Sequence, residues 1–232
     1  MIMENDIRLT EIDKKEVLRY LGYKNQSMTS YIEKLIDECI KETLNLVKPR
    51  YVIQYGNLEF LDNNIRVKDT NLILEGNDIK KLLKNSKKAA FMAVTIGYEI
   101  ENKIKLYEKT ELTRALILDS CATTAVEKIC DILEERIKNE ALKENLDITF
   151  RYSPGYGDLT LDVQGMFLAV LNAQKRIGLT VSEKNILIPR KSVTAIIGFT
   201  NKKQLISDNK CKNCKNYKTC TFRKEGENKC SL

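Results

Sequence analysis

The sequence predicts an α+β domain with a central, mostly antiparallel sheet and flanking helices. Helical spacing holds over residues 29–48, 111–143 and 161–177, while residues 50–75 break into short β-rich runs separated by turn residues. No internal repeat or low-complexity linker interrupts the chain before about Asn201, so these elements belong to one body. A helical segment, 1–49, precedes that body at 50–200, and a short tail, 201–232, follows it.

Taken in order, Asp13 and Glu16 have the spacing of a helix start, and Val17, Leu18 and Leu21 share one face before Gly22 ends the helix. A second helix runs from about Thr29 until Pro49 forbids continuation, with Cys39 on its apolar face as a buried thiol. The runs YVIQY, LEF, IRV and LILE read as an antiparallel meander with turns at Gly56-Asn57 and Asp62-Asn63-Asn64. Residues 78–84 form a short amphipathic helix, and the apolar run AAFMAVTI (89–96) suits a central strand. Gly97 opens a helix over 98–107. Residues 111–143 carry the longest helical pattern, in which Asp119 and Glu127 lie about two turns apart and point roughly the same way. Glu127 is either an edge residue in water or a buried carboxylate that needs a partner. After 161–177, a helix closed by Gly178, come a strand over 186–188 and another over 192–199.

Between the strand-like run 148–152 and the helix from Leu161 lies RYSPGYGD, Arg151 to Asp158. Pro154 fixes φ and Gly155 admits positive φ, which together make a tight turn that a ligand can approach closely. A fixed cation beside such a turn is how many binding loops are built; an ordinary strand-to-helix connection with a solvated arginine has the same composition.

Composition narrows the chemistry. The 232 residues contain no histidine, which excludes histidine bases, histidine metal ligands and the familiar Ser-His or Cys-His nucleophile pairs. The net charge of +7 is concentrated at one end, since residues 202–232 hold nine Lys and Arg against three Asp and Glu. No basic patch therefore covers the body. The same tail holds Cys211, Cys214, Cys220 and Cys230 in the spacing C-x2-C-x5-C-x9-C. Four thiolates so close suit tetrahedral zinc or a [4Fe–4S] cluster, and sequence does not separate these. Free thiols in an unstructured tail, or a redox dithiol at Cys211 and Cys214, are the other readings. The N-terminus lacks a signal-peptide profile and no apolar run approaches a membrane span, so the expected location is the cytoplasm.

Four pieces in fixed order, FMAVTIGYEI, ALILDSCATTAVEKICD, RYSPGYGD and ILIPRKSVTAIIGF, resemble the activation domain of vitamin B12-dependent methionine synthase in its stand-alone form. The resemblance covers roughly Arg50 to Phe199, and its most specific motif is R-x-x-x-G-Y, here Arg151, Gly155 and Tyr156. It implies a domain, 50–200, that binds S-adenosylmethionine and supports reductive methylation of cob(II)alamin held by a corrinoid-binding methionine synthase or related methyltransferase. Arg151 would hold the methionine carboxylate with its planar fork, Ser153, Pro154, Gly155 and Tyr156 would line the ligand, and Glu127 would meet its ammonium group. No residue need act as a catalytic acid or base, because the methyl donor is already activated. Little turnover is expected of the chain alone.

The chain also departs from that family. Ile196 and Ile197 stand in the late strand, after Ser192, Val193 and Thr194, where full-length synthases carry aromatic residues. The family's early ligand-binding aspartate has no clear match, and the cysteine tail is additional. A cluster there would supply the reducing electron in place of flavodoxin or ferredoxin, whereas a zinc would dock a partner. A nucleic-acid-binding module built on the basic tail, with Tyr217 and Phe222 stacking on bases, is the alternative function; it leaves RYSPGYGD and the neutral body unexplained.

Overall fold

Residues 7–24 and 26–201 are described by a computed structural model of the chain. Helix α1 (Lys14–Tyr20) begins where Asp13 accepts the N–H of Lys15 at 2.8 Å, and α2 (Ser30–Leu46) begins where Thr29 accepts that of Ile32 at 3.4 Å. These side chains satisfy N–H groups that the first helical turn leaves unpaired. Then follow β1 (Arg50–Phe60), β2 (Asn64–Val67), β3 (Ile73–Glu75), α3 (Asn77–Leu83), β4 (Ser86–Thr95), α4 (Tyr98–Thr110) and the long α5 (Leu112–Lys143). The last third holds β5 (Asp147–Ile148), a 3-10 turn (Leu161–Val163), α6 (Gln164–Leu171), α7 (Ala173–Ile177), β6 (Thr180–Val181), β7 (Leu187–Ile188) and β8 (Ser192–Thr200).

Six strands form one antiparallel sheet in the order β3-β2-β1-β4-β8-β5, and β6 and β7 form a separate hairpin. Strand side chains alternate between the two faces, and each face carries its own apolar core. Tyr51, Ile53, Met92, Val94, Ala195 and Ile197 pack with α1, α2, α4 and α5; Val52, Phe91, Ala93 and Ile196 pack with α3, α6 and α7. The central position of β4 explains its continuous apolar run, because both of its faces are covered. Cys39, Cys121 and Cys130 are buried free thiols.

Two expectations about element boundaries fail. Gly56-Asn57 is not a turn: β1 runs unbroken through it, pairing with β4 up to Asn57 and with β2 from Leu58. Gly56 is present because a Cβ there would lie 2.8 Å from Val67 Cγ1 and 3.3 Å from the Phe91 ring, a close approach and not a chain reversal. The helix expected over 161–177 is divided at Asn172, whose φ of 52° is left-handed. Asn tolerates that conformation better than most residues, so an apolar helical pattern hid the break. The hairpin partner β6 also has no clear sequence signal.

Candidate ligand-binding site

RYSPGYGD leaves the sheet at its β5 edge. Ile148 pairs with Phe199 and Tyr152 bridges to Ile196, so the outer chain has one residue more than β8 over the same interval. The extra residue is a bulge of the kind that re-aims side chains. Thr149 holds it, donating its N–H to Gly198 and accepting the Gly198 N–H on Oγ1, both at 2.8 Å. Ile148 packs into the α5-side core, whereas Phe150 and Tyr152 pack into the opposite one. Arg151, between them, turns back toward α5.

There Arg151 meets three carboxylates at helical spacing. Nη2 donates to Glu127 at 3.2 Å and to Asp131 at 2.9 Å, and Nε lies 3.1 Å from Glu134. Positions 127, 131 and 134 share one face of α5, a pattern present in the sequence but not read there. The guanidinium has five N–H donors. Its Nη1 is buried without a hydrogen-bond partner among the described residues, although its side chain is only 15% exposed. Burial works against the arginine's charge, but the carboxylates of Glu127, Glu134 and Asp131 outweigh it and hold the group protonated. Burial pushes the Glu127 carboxyl above its ordinary range, and the Arg151 charge only partly reverses this. Glu127 is therefore a half-buried carboxylate, its side chain 22% exposed, that is paired with Arg151 and does not stand free in water.

The rest of the loop is held rigidly. Tyr156 donates its N–H to the Ser153 carbonyl at 3.0 Å, with Pro154 second and Gly155, at φ 94°, third in the turn. This is the pattern of a type II turn. Pro154 is buried and Gly155 exposed. The Tyr152 hydroxyl donates to the Tyr156 carbonyl at 3.0 Å, and the two rings meet edge to face at 5.7 Å between centroids. Gly157 has φ 52°, and a side chain there would overlap the Asp78 carboxylate and the Tyr152 hydroxyl. Asp158 accepts the N–H groups of Asn77 at 2.7 Å and Asp78 at 3.1 Å. It thereby caps α3, whose own preceding residue, Gly76, has no side chain to do so. The loop is thus pinned to α5 by Arg151 and to α3 by Asp158.

Asp119 does share a side of α5 with Glu127 but has a different partner. Lys191 Nζ lies 2.8 Å from both Asp119 Oδ1 and Thr123 Oγ1. The C-terminus of α1 also reaches this region: the charge of Glu127 acts on Tyr20 and that of Arg19 acts on Glu127. Arg19 is itself paired with Glu16 at 2.8 Å. Asp131, Glu134, Lys191 and α1 all escaped the sequence reading, because each contact depends on how separate elements pack.

Cys211, Cys214, Cys220 and Cys230 lie outside the described residues, as do Tyr217 and Phe222. Among the described residues no His, Cys, Asp and Glu cluster suits a metal ion, and no helix is long and apolar enough to cross a membrane.

No protein-family model matches the chain, and no curated protein does. Among solved structures it is similar to the MetH reactivation domain bound to AdoHcy, with a TM-score of 0.58 and 13% identity, over 82% of this chain and 77% of that one. At that identity the likeness is one of fold, and the chain has the α+β fold of the MetH reactivation domain.

Proposed function

We propose that the chain is an S-adenosylmethionine-binding reactivation module, serving reductive methylation of cob(II)alamin on a corrinoid-dependent methionine synthase or related methyltransferase. The observation that carries this reading is Arg151 Nη1, buried and without a hydrogen-bond partner among the described residues, beside the Glu127 carboxylate. The amino-acid end of the ligand has one carboxylate and one ammonium group, and these two side chains offer one partner for each. The Nε and Nη2 edge of Arg151 is filled by α5 carboxylates, so the ligand carboxylate is expected on Nη1 and not across the fork. Gly155 is exposed at the turn and presents backbone without a side chain, so the ligand can pass close to it.

S-adenosylmethionine supplies a methyl group already activated at a sulfonium. The protein's part is to hold the ligand's amino-acid end and fix its direction, which requires no histidine. The reducing electron comes from a separate donor, a flavodoxin or ferredoxin, or from a cluster on the four-cysteine tail.

A direct test mixes the full chain with a cobalamin-dependent methionine synthase that has no activation domain of its own and is stalled as cob(II)alamin. With S-adenosylmethionine and a reductant, recovery of the methylcobalamin absorption spectrum is expected only when the chain is present. Equal recovery without it would contradict the proposal.

A further inference from the structure

The charge around Arg151 is unbalanced. Glu127, Asp131 and Glu134 surround a single guanidinium, an excess of two negative charges. Among the described residues, Arg19 acts on Glu127 but is matched by Glu16 at 2.8 Å, and Lys191 is matched by Asp119 at 2.8 Å, so neither offsets the excess in full. An amino-acid zwitterion alone would need only one cation and one anion. Two of the three carboxylates already bind Arg151 without Glu127, so anchoring the loop does not account for the third.

Resting on the reading above, we infer that this site reads the methylation state of its ligand by charge, favouring the sulfonium form over the demethylated thioether. The methyl donor carries a sulfonium, an ammonium and a carboxylate, a net charge of +1. When the methyl group leaves, the carbon–sulfur bond breaks, sulfur keeps the electron pair, and the new bond forms with the electron pair of the reduced cobalt. The remaining ligand is a neutral thioether with a net charge of zero. It loses one unit of attraction to an acidic cluster that is partly buried at Glu127 and Glu134 and half exposed, hence open to salt, at Asp131. The spent ligand is therefore released in favour of a fresh one, and the site is not blocked by its own product.

The preference is expected to be about tenfold at low salt, given the scale of one charge interaction across a protein surface. It shrinks as ionic strength rises. Calorimetry on the full chain would compare S-adenosylmethionine, S-adenosylhomocysteine and sinefungin, which places an amine cation at the sulfonium position and has no methyl group to transfer. Sinefungin is expected to bind like the methyl donor, and both more tightly than S-adenosylhomocysteine. The salt series on the unaltered protein makes the test independent of any variant. In Asp131→Asn and in Glu134→Gln the ratio should fall toward one, mainly through weaker binding of the two cations. Equal affinity for the donor and S-adenosylhomocysteine would overturn the inference, as would a ratio that neither salt nor these variants change. Sinefungin binding as weakly as S-adenosylhomocysteine would overturn it as well, pointing to contact with the methyl group itself. Failure of all three to bind would instead reject the ligand reading on which it rests.

Discussion

At the scale of single residues, the loop is made by constraints that a sequence states only in part. Pro154 and Gly155 announced a turn, and that turn forms. Gly157 and Asp158 gave no such notice, because their roles depend on α3, about 80 residues earlier in the chain. Gly157→Ala forces a side chain into left-handed backbone against Asp78 and Tyr152, and should cost roughly 1–3 kcal/mol, read as a lower denaturation midpoint. Asp158→Ala removes the cap from α3 and should cost about 1 kcal/mol in the same measurement. Glu127 has its folded pKa raised, first by burial. Its sign is therefore the reverse of the usual carboxylate: the folded state holds this proton more tightly than the unfolded state, and stability is lost as pH rises from the ordinary carboxylate range through the raised value. Glu127→Gln should flatten that loss, so its stability relative to the wild type improves as pH increases across that window, while its affinity for S-adenosylmethionine falls. An improvement in the opposite direction of pH would contradict the assigned cause.

At the scale of elements, α5 organises the molecule. One side of it fills the larger core with Ile129, Leu133 and Ile137, each fully buried, and another presents Glu127, Asp131 and Glu134 to Arg151. The apolar side was legible from helical spacing, and so was the central strand from its unbroken apolar run. The acidic side was written in the sequence at the same spacing, but a row of carboxylates on a long helix usually faces water, so nothing marked it out. The bulge at Thr149 that turns Arg151 toward this row was not legible at all, because it consists of a register difference between two strands. Ile129→Ala should cost about 2–5 kcal/mol by leaving a cavity under the site. A loss much below that range would mean α5 can settle into the gap and is less firmly packed than its burial implies.

For the whole molecule, hydrophobic periodicity and the order of the elements carried the fold class, and the likeness to the MetH reactivation domain agrees with it. What periodicity could not supply was the meeting of α1, α5 and the RYSPGYGD loop at one place. The cysteines divide by the same logic. Cys39 and Cys121 are pushed up by burial to about 11 and about 12, and burial raises Cys130 further, so these thiols should be inert in the folded protein. If the tail binds metal, none of the seven cysteines should react promptly with a thiol reagent in the anaerobic native protein, four should react after chelation, and all should react after unfolding. Four reactive thiols before any chelator would rule out the metal knuckle. Whether Arg151 holds the amino-acid end of S-adenosylmethionine is decided by titration calorimetry of that ligand into the wild type and Arg151→Ala, with folding of the variant checked by circular dichroism. Micromolar binding to the wild type is expected, with a loss of roughly 2–3 kcal/mol in the folded variant, the scale of a charge-assisted pair left unmade. Absence of binding at high micromolar ligand, or equal binding by both proteins, would contradict it.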